Sequence, residues 1–166
     1  AMPNLVTVGA TGTSSAVAGI PFYRGDGNNS SIYTHDVSGT DSTAQYNTGY
    51  GITSLDAITT GDKNTAIGNA AGSALTEATD SVLVGYESGA AITTGVKNVA
   101  VGSFALDALN TGSENTAIGH QALTSDTKGG RNVAIGHGTL STQNFTSATS
   151  SYNIAVGYNA LNLNTT

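Results

Sequence analysis

From about Asn47 to the end of the chain, small and β-branched apolar residues recur in a fixed frame between polar ones. The frame reads Asn, Thr or Val, Ala, Ile or Val, Gly, two variable positions, Ala and Leu, then a polar stretch that usually holds Thr and Gly. Clear copies are Asn64-Thr65-Ala66-Ile67-Gly68, Asn98-Val99-Ala100-Val101-Gly102, Asn115-Thr116-Ala117-Ile118-Gly119 and Asn132-Val133-Ala134-Ile135-Gly136. Near copies are Ser81-Val82-Leu83-Val84-Gly85 and Asn153-Ile154-Ala155-Val156-Gly157. The glycines stand at 51, 68, 85, 102, 119 and 136, each 17 residues after the last, and a final step of 21 leads to Gly157. So regular a period predicts stacked, near-identical units.

Within each unit the β-branched triplet predicts a short strand. Alternation puts Thr65 and Ile67 on one face and Ala66 on the other. With Ile and Val turned inward, Ala66 faces out, where a column of small residues would let chains pack closely; Leu83 interrupts that column. The following glycine marks a corner. A second apolar segment comes next, such as Leu55-Asp56-Ala57-Ile58 or Leu106-Asp107-Ala108-Leu109. Ala and Leu favour helix, but the segment is only about one turn long, and isolated short helices are marginal. Its Gly/Thr-rich flanks also oppose a helix, so a second strand is preferred. A turn such as Thr59-Thr60-Gly61-Asp62-Lys63 closes the unit.

Two strands of ~5 residues and two turns make one coil of a parallel β-solenoid, with coils ~4.8 Å apart. Asn47, Asn64, Asn98, Asn115, Asn132 and Asn153 then form a hydrogen-bonding column, interrupted by Ser81. The 21-residue step reads as a four-residue insertion in a surface turn between Ser141 and Ser151. Residues 1–46 escape the frame and read as a capping or connecting segment, with strands at Leu5–Val8 and Ser31–Thr34 and a degenerate rung at Ser30 to Thr34. Residues 47–166 form the repeat domain of about seven coils. The chain stops in mid-repeat, where other units continue Thr-Thr-Gly, which predicts a piece of a longer polypeptide.

Composition narrows the class. Of 166 residues 38% are apolar, with 22 Gly, 7 Tyr, 3 Phe and no Trp; such a set fills a thin core, one layer per repeat. A thin core leaves much surface exposed and favours association with neighbouring chains. Five Lys and Arg against 11 Asp and Glu give a net charge of −6. That leaves no basic face for nucleic acid or for an anionic membrane surface. No apolar run approaches the ~20 residues of a membrane span, so no membrane insertion is expected. Cysteine is absent, which removes disulfides and thiolate metal sites.

The motif Asn-[Thr/Val]-Ala-[Ile/Val]-Gly followed by Ala-Leu resembles the head repeats of trimeric autotransporter adhesins, and more closely the repeats of bacteriophage tail fibres. The resemblance covers roughly residues 47–166 and recurs about seven times in phase, although adhesin heads have shorter repeats. It implies a left-handed β-roll in which three chains associate side by side. Parallel crossovers are otherwise right-handed, so the hand rests on the resemblance alone. It further implies a structural segment of a tail fibre at the virion surface, contributing to host attachment. The alternative is an extracellular adhesin head that binds glycan or matrix through the outer face of its coils. The implied partners are copies of the chain itself and a host cell-surface glycan or protein.

Candidate chemistry is sparse. His120 and His137 share a slot in adjacent coils and would lie close enough to share a metal. The same slot holds Ile52, Asn69, Tyr86, Ser103 and Tyr158, which is the signature of a variable surface column, so no metal or other cofactor is assigned. Tyr86, His120, His137 and Tyr158 are the candidate ligand-binding residues, as a shallow stacking surface for sugars. Thr59, Thr76, Thr93 and Thr127 share a slot beside Gly-rich turns and read as a turn column. Arg24-Gly25-Asp26 is a common chance tripeptide, and Gly25-Asp26-Gly27-Asn28 is too poor in carboxylates for a calcium loop. No phosphate loop, zinc motif or nucleophile elbow is present. Asp62, Asp80 and Glu114 lie in turns rather than paired in a groove, as glycoside hydrolysis requires. The chain is read as non-enzymatic, with no catalytic residue.

Overall fold

The computed structural model describes residues 15–17, 20–24, 32–34, 43–145 and 147–163. Among these lie twelve short strands and no helix. The chain enters through β1 (Ser15–Val17), β2 (Ile20–Arg24) and β3 (Ile32–Tyr33), with β1 antiparallel to β2 and β2 antiparallel to β3. From β3 onward every pairing is parallel. β4 (Thr48–Tyr50), β5 (Thr65–Ile67), β6 (Val82–Val84), β7 (Val99–Val101), β8 (Thr116–Ile118), β10 (Val133–Ile135) and β12 (Ile154–Val156) follow one another across a single sheet. Thr48 pairs with Thr65, Thr65 with Val82 and Val82 with Val99, so each coil sits on the last with no slip. The protein is a parallel β-solenoid of about seven coils.

From β4 on, each coil carries one three-residue strand in the long sheet, and the second strand predicted for the Ala-Leu segment does not form. The cause is the backbone of the second apolar segment. In the coil after β5, Ala70 and Gly72 have φ of 56° and 59°, and in the coil after β7, Phe104 and Leu106 have 59° and 55°. Left-handed residues two apart bend the chain twice and leave no extended run. Tight turns close instead: the Leu75 amide donates to the Gly72 carbonyl at 3.0 Å and that of Leu109 to Leu106 at 3.1 Å. Coil-to-coil bonds continue through these turns, as from the Leu55 amide to the Ala71 carbonyl at 3.1 Å. Backbone groups are thus satisfied without a second strand.

The strand faces are the reverse of the expectation. Ala66, Leu83, Ala100, Ala117 and Ala134 are fully buried, while Ile67 is 42% exposed and Thr65 only half-buried. The small-residue column is therefore the core, not a surface for packing against another chain, and the Ile/Val column faces out. Thickness decides it. Leu55, Leu106, Leu123 and Leu140, with Ile58, Leu75, Ile92 and Leu109, fill the interior from the turn side and are fully buried. Only a methyl group fits beneath the strand. Leu83 fits because its own coil and the preceding one carry Gly89 and Gly72 where others carry Leu; a Cβ at either glycine would lie 2.8 or 2.7 Å from a Leu83 methyl.

The asparagine column forms as expected. Oδ1 of Asn47 accepts from the Asn64 amide at 2.8 Å, that of Asn98 from Asn115 at 3.0 Å, and that of Asn115 from Asn132 at 3.0 Å. The Nδ2 groups of Asn47, Asn64, Asn98 and Asn115 also close their own coils, as where Asn64 donates to the Ala78 carbonyl at 2.8 Å and Asn98 to that of Gly112 at 2.9 Å. Ser81 breaks only half of this device. Its hydroxyl accepts from the Asn98 amide at 3.2 Å, but it donates to the nearby Thr79 carbonyl and leaves the coil unclamped. The glycine column is a requirement of the stacking. At Gly102, with φ 133°, a Cβ would lie 2.6 Å from the Gly119 carbonyl carbon and oxygen in the next coil.

The degenerate rung before Asn47 is present as β3, where Ile32 pairs with Thr48 and Tyr33 is fully buried. The Tyr33 ring occupies the space over Gly49, whose Cβ would meet Tyr33 Cδ1 at 2.9 Å. The strand expected at Leu5–Val8 and the loop from Gly25 to Ser30 lie outside the described residues. The insertion before Asn153 contributes β11 (Thr149–Ser150), which pairs with β9 (Gly129–Gly130) in a separate two-stranded parallel sheet. Beside it the core turns polar: Asp126 and Gln143 replace the buried aliphatic residue of earlier coils. Gln143 Nε2 donates to Asp126 Oδ2 at 2.7 Å, and the amides of Gly129 and Phe145 donate to Asp126 Oδ1 at 2.8 and 3.2 Å.

Candidate functional site

The variable slot after the corner glycine points outward, and the parallel register sets its occupants one above another. The structure brings Tyr86, His120, His137 and Tyr158 into one ladder. His120 stacks on His137 with ring centroids 5.1 Å apart and planes 19° apart, and His137 on Tyr158 at 5.1 Å and 15°. These distances are close to the ~4.8 Å strand spacing, so the stacking follows from the fold itself. Between Tyr86 and His120 the slot holds Ser103, which has no ring. Phe104, from the next position, bridges the gap edge-on, 5.2 Å from Tyr86 and 6.0 Å from His120. The frame places Phe104 in the adjacent slot, which is why sequence reasoning missed it; its left-handed backbone, φ 59°, accompanies the contact.

Stacking changes what the ladder can do. His120, His137 and Tyr158 turn their ring faces toward one another, so a ligand alongside meets imidazole and phenol edges. The Tyr86 hydroxyl donates a hydrogen bond to the Glu87 carboxylate, and that bond, followed by the carboxylate's charge, pushes the phenol up. Parallel imidazoles aim their in-plane lone pairs side by side rather than at a shared point, which is poor geometry for tetrahedral coordination. Among the described residues no group of three or more His, Asp or Glu gathers as metal ligands.

The threonine slot is the turn column it was expected to be. Thr59 and Thr76 donate their hydroxyls to the carbonyls of Thr76 and Thr93 at 3.0 and 3.1 Å, sealing coil to coil. Of Arg24-Gly25-Asp26, only Arg24 lies among the described residues, at the end of β2. No known protein family, curated protein or solved structure matches this chain.

Proposed function

We propose that this chain is a structural segment of a homotrimeric viral tail fibre, contributing to host-surface attachment. One observation carries the reading. The outward columns of the long sheet present Ile67, Val82, Ile118, Ile135, Ile154 and Val156 to solvent, each at least 36% exposed. A continuous apolar stripe of this kind on a slender solenoid is the mark of a protein–protein surface. In this reading three copies lie side by side with the stripes facing one another, as the resemblance to tail-fibre repeats implies, and the roll is left-handed. The coils supply length and stiffness, and the work is to hold an attachment element away from the particle.

The test is mass in solution. Light scattering at micromolar concentration is expected to give about 50 kDa, three times the 16.5 kDa chain. Ile118→Glu with Ile135→Glu is expected to reduce it to one chain. A wild-type monomer would overturn the trimer.

The aromatic ladder favours a second reading, an adhesin head that binds glycan through the outer face of its coils. There, His120→Ala with His137→Ala would abolish attachment to a glycan array while the measured mass stays unchanged.

A further inference from the structure

Beyond the structural role, we infer that the insertion in the penultimate coil builds a binding cleft for a sugar bearing a carboxylate. The strand-sided coils are otherwise uniform; here β9 and β11 part from the long sheet and enclose an open cleft of about 210 Å³. That is smaller than the ~300–1,000 Å³ of drug-sized pockets and suits a single sugar ring. Its walls come from three successive passes of the chain, at 111–114, at Lys128, Gly130 and Arg131, and at 148–150.

Charge selects the ligand. The slot before each asparagine alternates in sign, through Lys63, Asp80, Lys97, Glu114 and Arg131, and the next occupant is Tyr152 rather than an acid. Arg131 is thus balanced on one side only. Its Nε donates to Glu114 Oε2 at 2.9 Å, and its Nη1 to Ser150 Oγ and, at 3.4 Å, to the Tyr152 hydroxyl. The guanidinium also lies over the Tyr152 ring, 5.6 Å from its centroid. These contacts fix the group while Nη2 has no hydrogen bond among the described residues. Lys128 lines the same cleft, and its slot in the adjacent coils holds Thr111 and Phe145, which carry no charge. Two of the five cations of a chain with net charge −6 therefore converge on one cleft, against a single carboxylate. A planar guanidinium with free donors recognises a carboxylate. The hydroxyls of Ser113 and Thr149 and the Glu114 carboxylate suit the hydroxyls of a sugar ring.

Saturation-transfer NMR on the full chain tests this, with D-glucuronate and N-acetylneuraminate as probes and D-glucose and acetate as controls. At least one acidic sugar is expected to bind about tenfold more tightly than glucose or acetate, since a charge-assisted bond is lost with one and the hydroxyl contacts with the other. Lys128→Gln is expected to weaken binding and its salt dependence without changing the circular dichroism spectrum, and Arg131→Gln to abolish it. Should Arg131→Gln misfold, Lys128→Gln and the wild-type comparison still decide. His120→Ala with His137→Ala should leave this binding unchanged, which separates it from the ladder. Binding of neither acidic sugar, equal response to acetate or glucose, or unaltered affinity in Lys128→Gln would each overturn the proposal.

Discussion

Leu83 and its two glycines work as a unit across a coil boundary. Elsewhere Ala lies beneath the strand and a left-handed Leu fills the space from the turn, as with Ala100 and Leu106 or Ala117 and Leu123. In the Leu83 region the volume is supplied from the strand side, and Gly72 and Gly89 make room. Leu83→Ala alone should leave a cavity and cost about 2–5 kcal/mol. Gly89→Leu alone should overpack and cost about 1–3 kcal/mol. Gly72→Leu, Leu83→Ala and Gly89→Leu together recreate the pattern of the other coils, so urea denaturation should show the triple variant well above the sum of its parts. Asp107 offers a pH-dependent test of the same kind. Burial raises its carboxyl above the ordinary 3.8, against smaller opposing effects of a hydrogen bond from Thr124 and of backbone amides. A carboxyl with a raised folded value holds its proton more tightly in the folded state. Its stabilising contribution is full below the unfolded value and is lost as pH rises through the folded one. Asp107→Asn, which keeps an acceptor for Thr124, should therefore raise the melting temperature at pH 7 and change it little at pH 3.

At the scale of the coil, the asparagine clamp joins the start of a strand to the turn that ends the same unit. Asn115 is fully engaged: Oδ1 serves the Asn132 amide, and Nδ2 reaches the Gly129 carbonyl at 3.0 Å. Asn115→Ala strands these buried groups, each costing about 1–3 kcal/mol. Ser81→Asn should act oppositely, gaining about 1 kcal/mol by supplying the missing donor to the Gly95 carbonyl. Chemical denaturation of both variants checks the pair of signs. The asparagine column, the glycine corners and the coil length were legible in the sequence because each depends on one residue type at one spacing, whereas the clamp onto the closing turn appears only in the folded coil. The direction of the strand faces was not. A Thr-Ala-Ile triplet alternates equally well either way, and hydrophobicity alone argues for Ile67 inside. What reverses it is volume delivered by Leu55, Leu106 and their equivalents in left-handed conformations, which leucine seldom adopts and which no local pattern announces. The candidate site was legible by the same measure. Their shared position after the corner glycine brought Tyr86, His120, His137 and Tyr158 into one column, across the four-residue insertion as well, whereas Phe104 joins from a different slot. The cleft beside Arg131 follows from an insertion whose path the repeat does not constrain.

For the whole molecule, a solenoid's stability is close to a sum over coils and the contacts between neighbours. Removing coils should then be tolerated only when the new neighbours match. Deleting residues 64–97 takes out two 17-residue units, and with them Ser81, Leu83, Gly72 and Gly89 together. Asn98 then follows Lys63. Asn47 meets Asn98 in the clamp column, and Leu55 meets Leu106 in the core. The charged slot reads Lys63, Glu114, Arg131 and still alternates. Deleting residues 64–80 alone keeps the phase but not the match. Leu83 would stack directly over Leu55 with no Gly72 between, an overpacking of about 1–3 kcal/mol, and Lys63 would face Lys97. The like-charge contact is exposed and adds only a few tenths of a kcal/mol, so the core mismatch decides. The shorter protein is therefore expected to be the more stable one: thermal unfolding followed by circular dichroism should place the two-coil deletion above the one-coil deletion. The reverse order would mean that stability follows the number of coils rather than the fit between them.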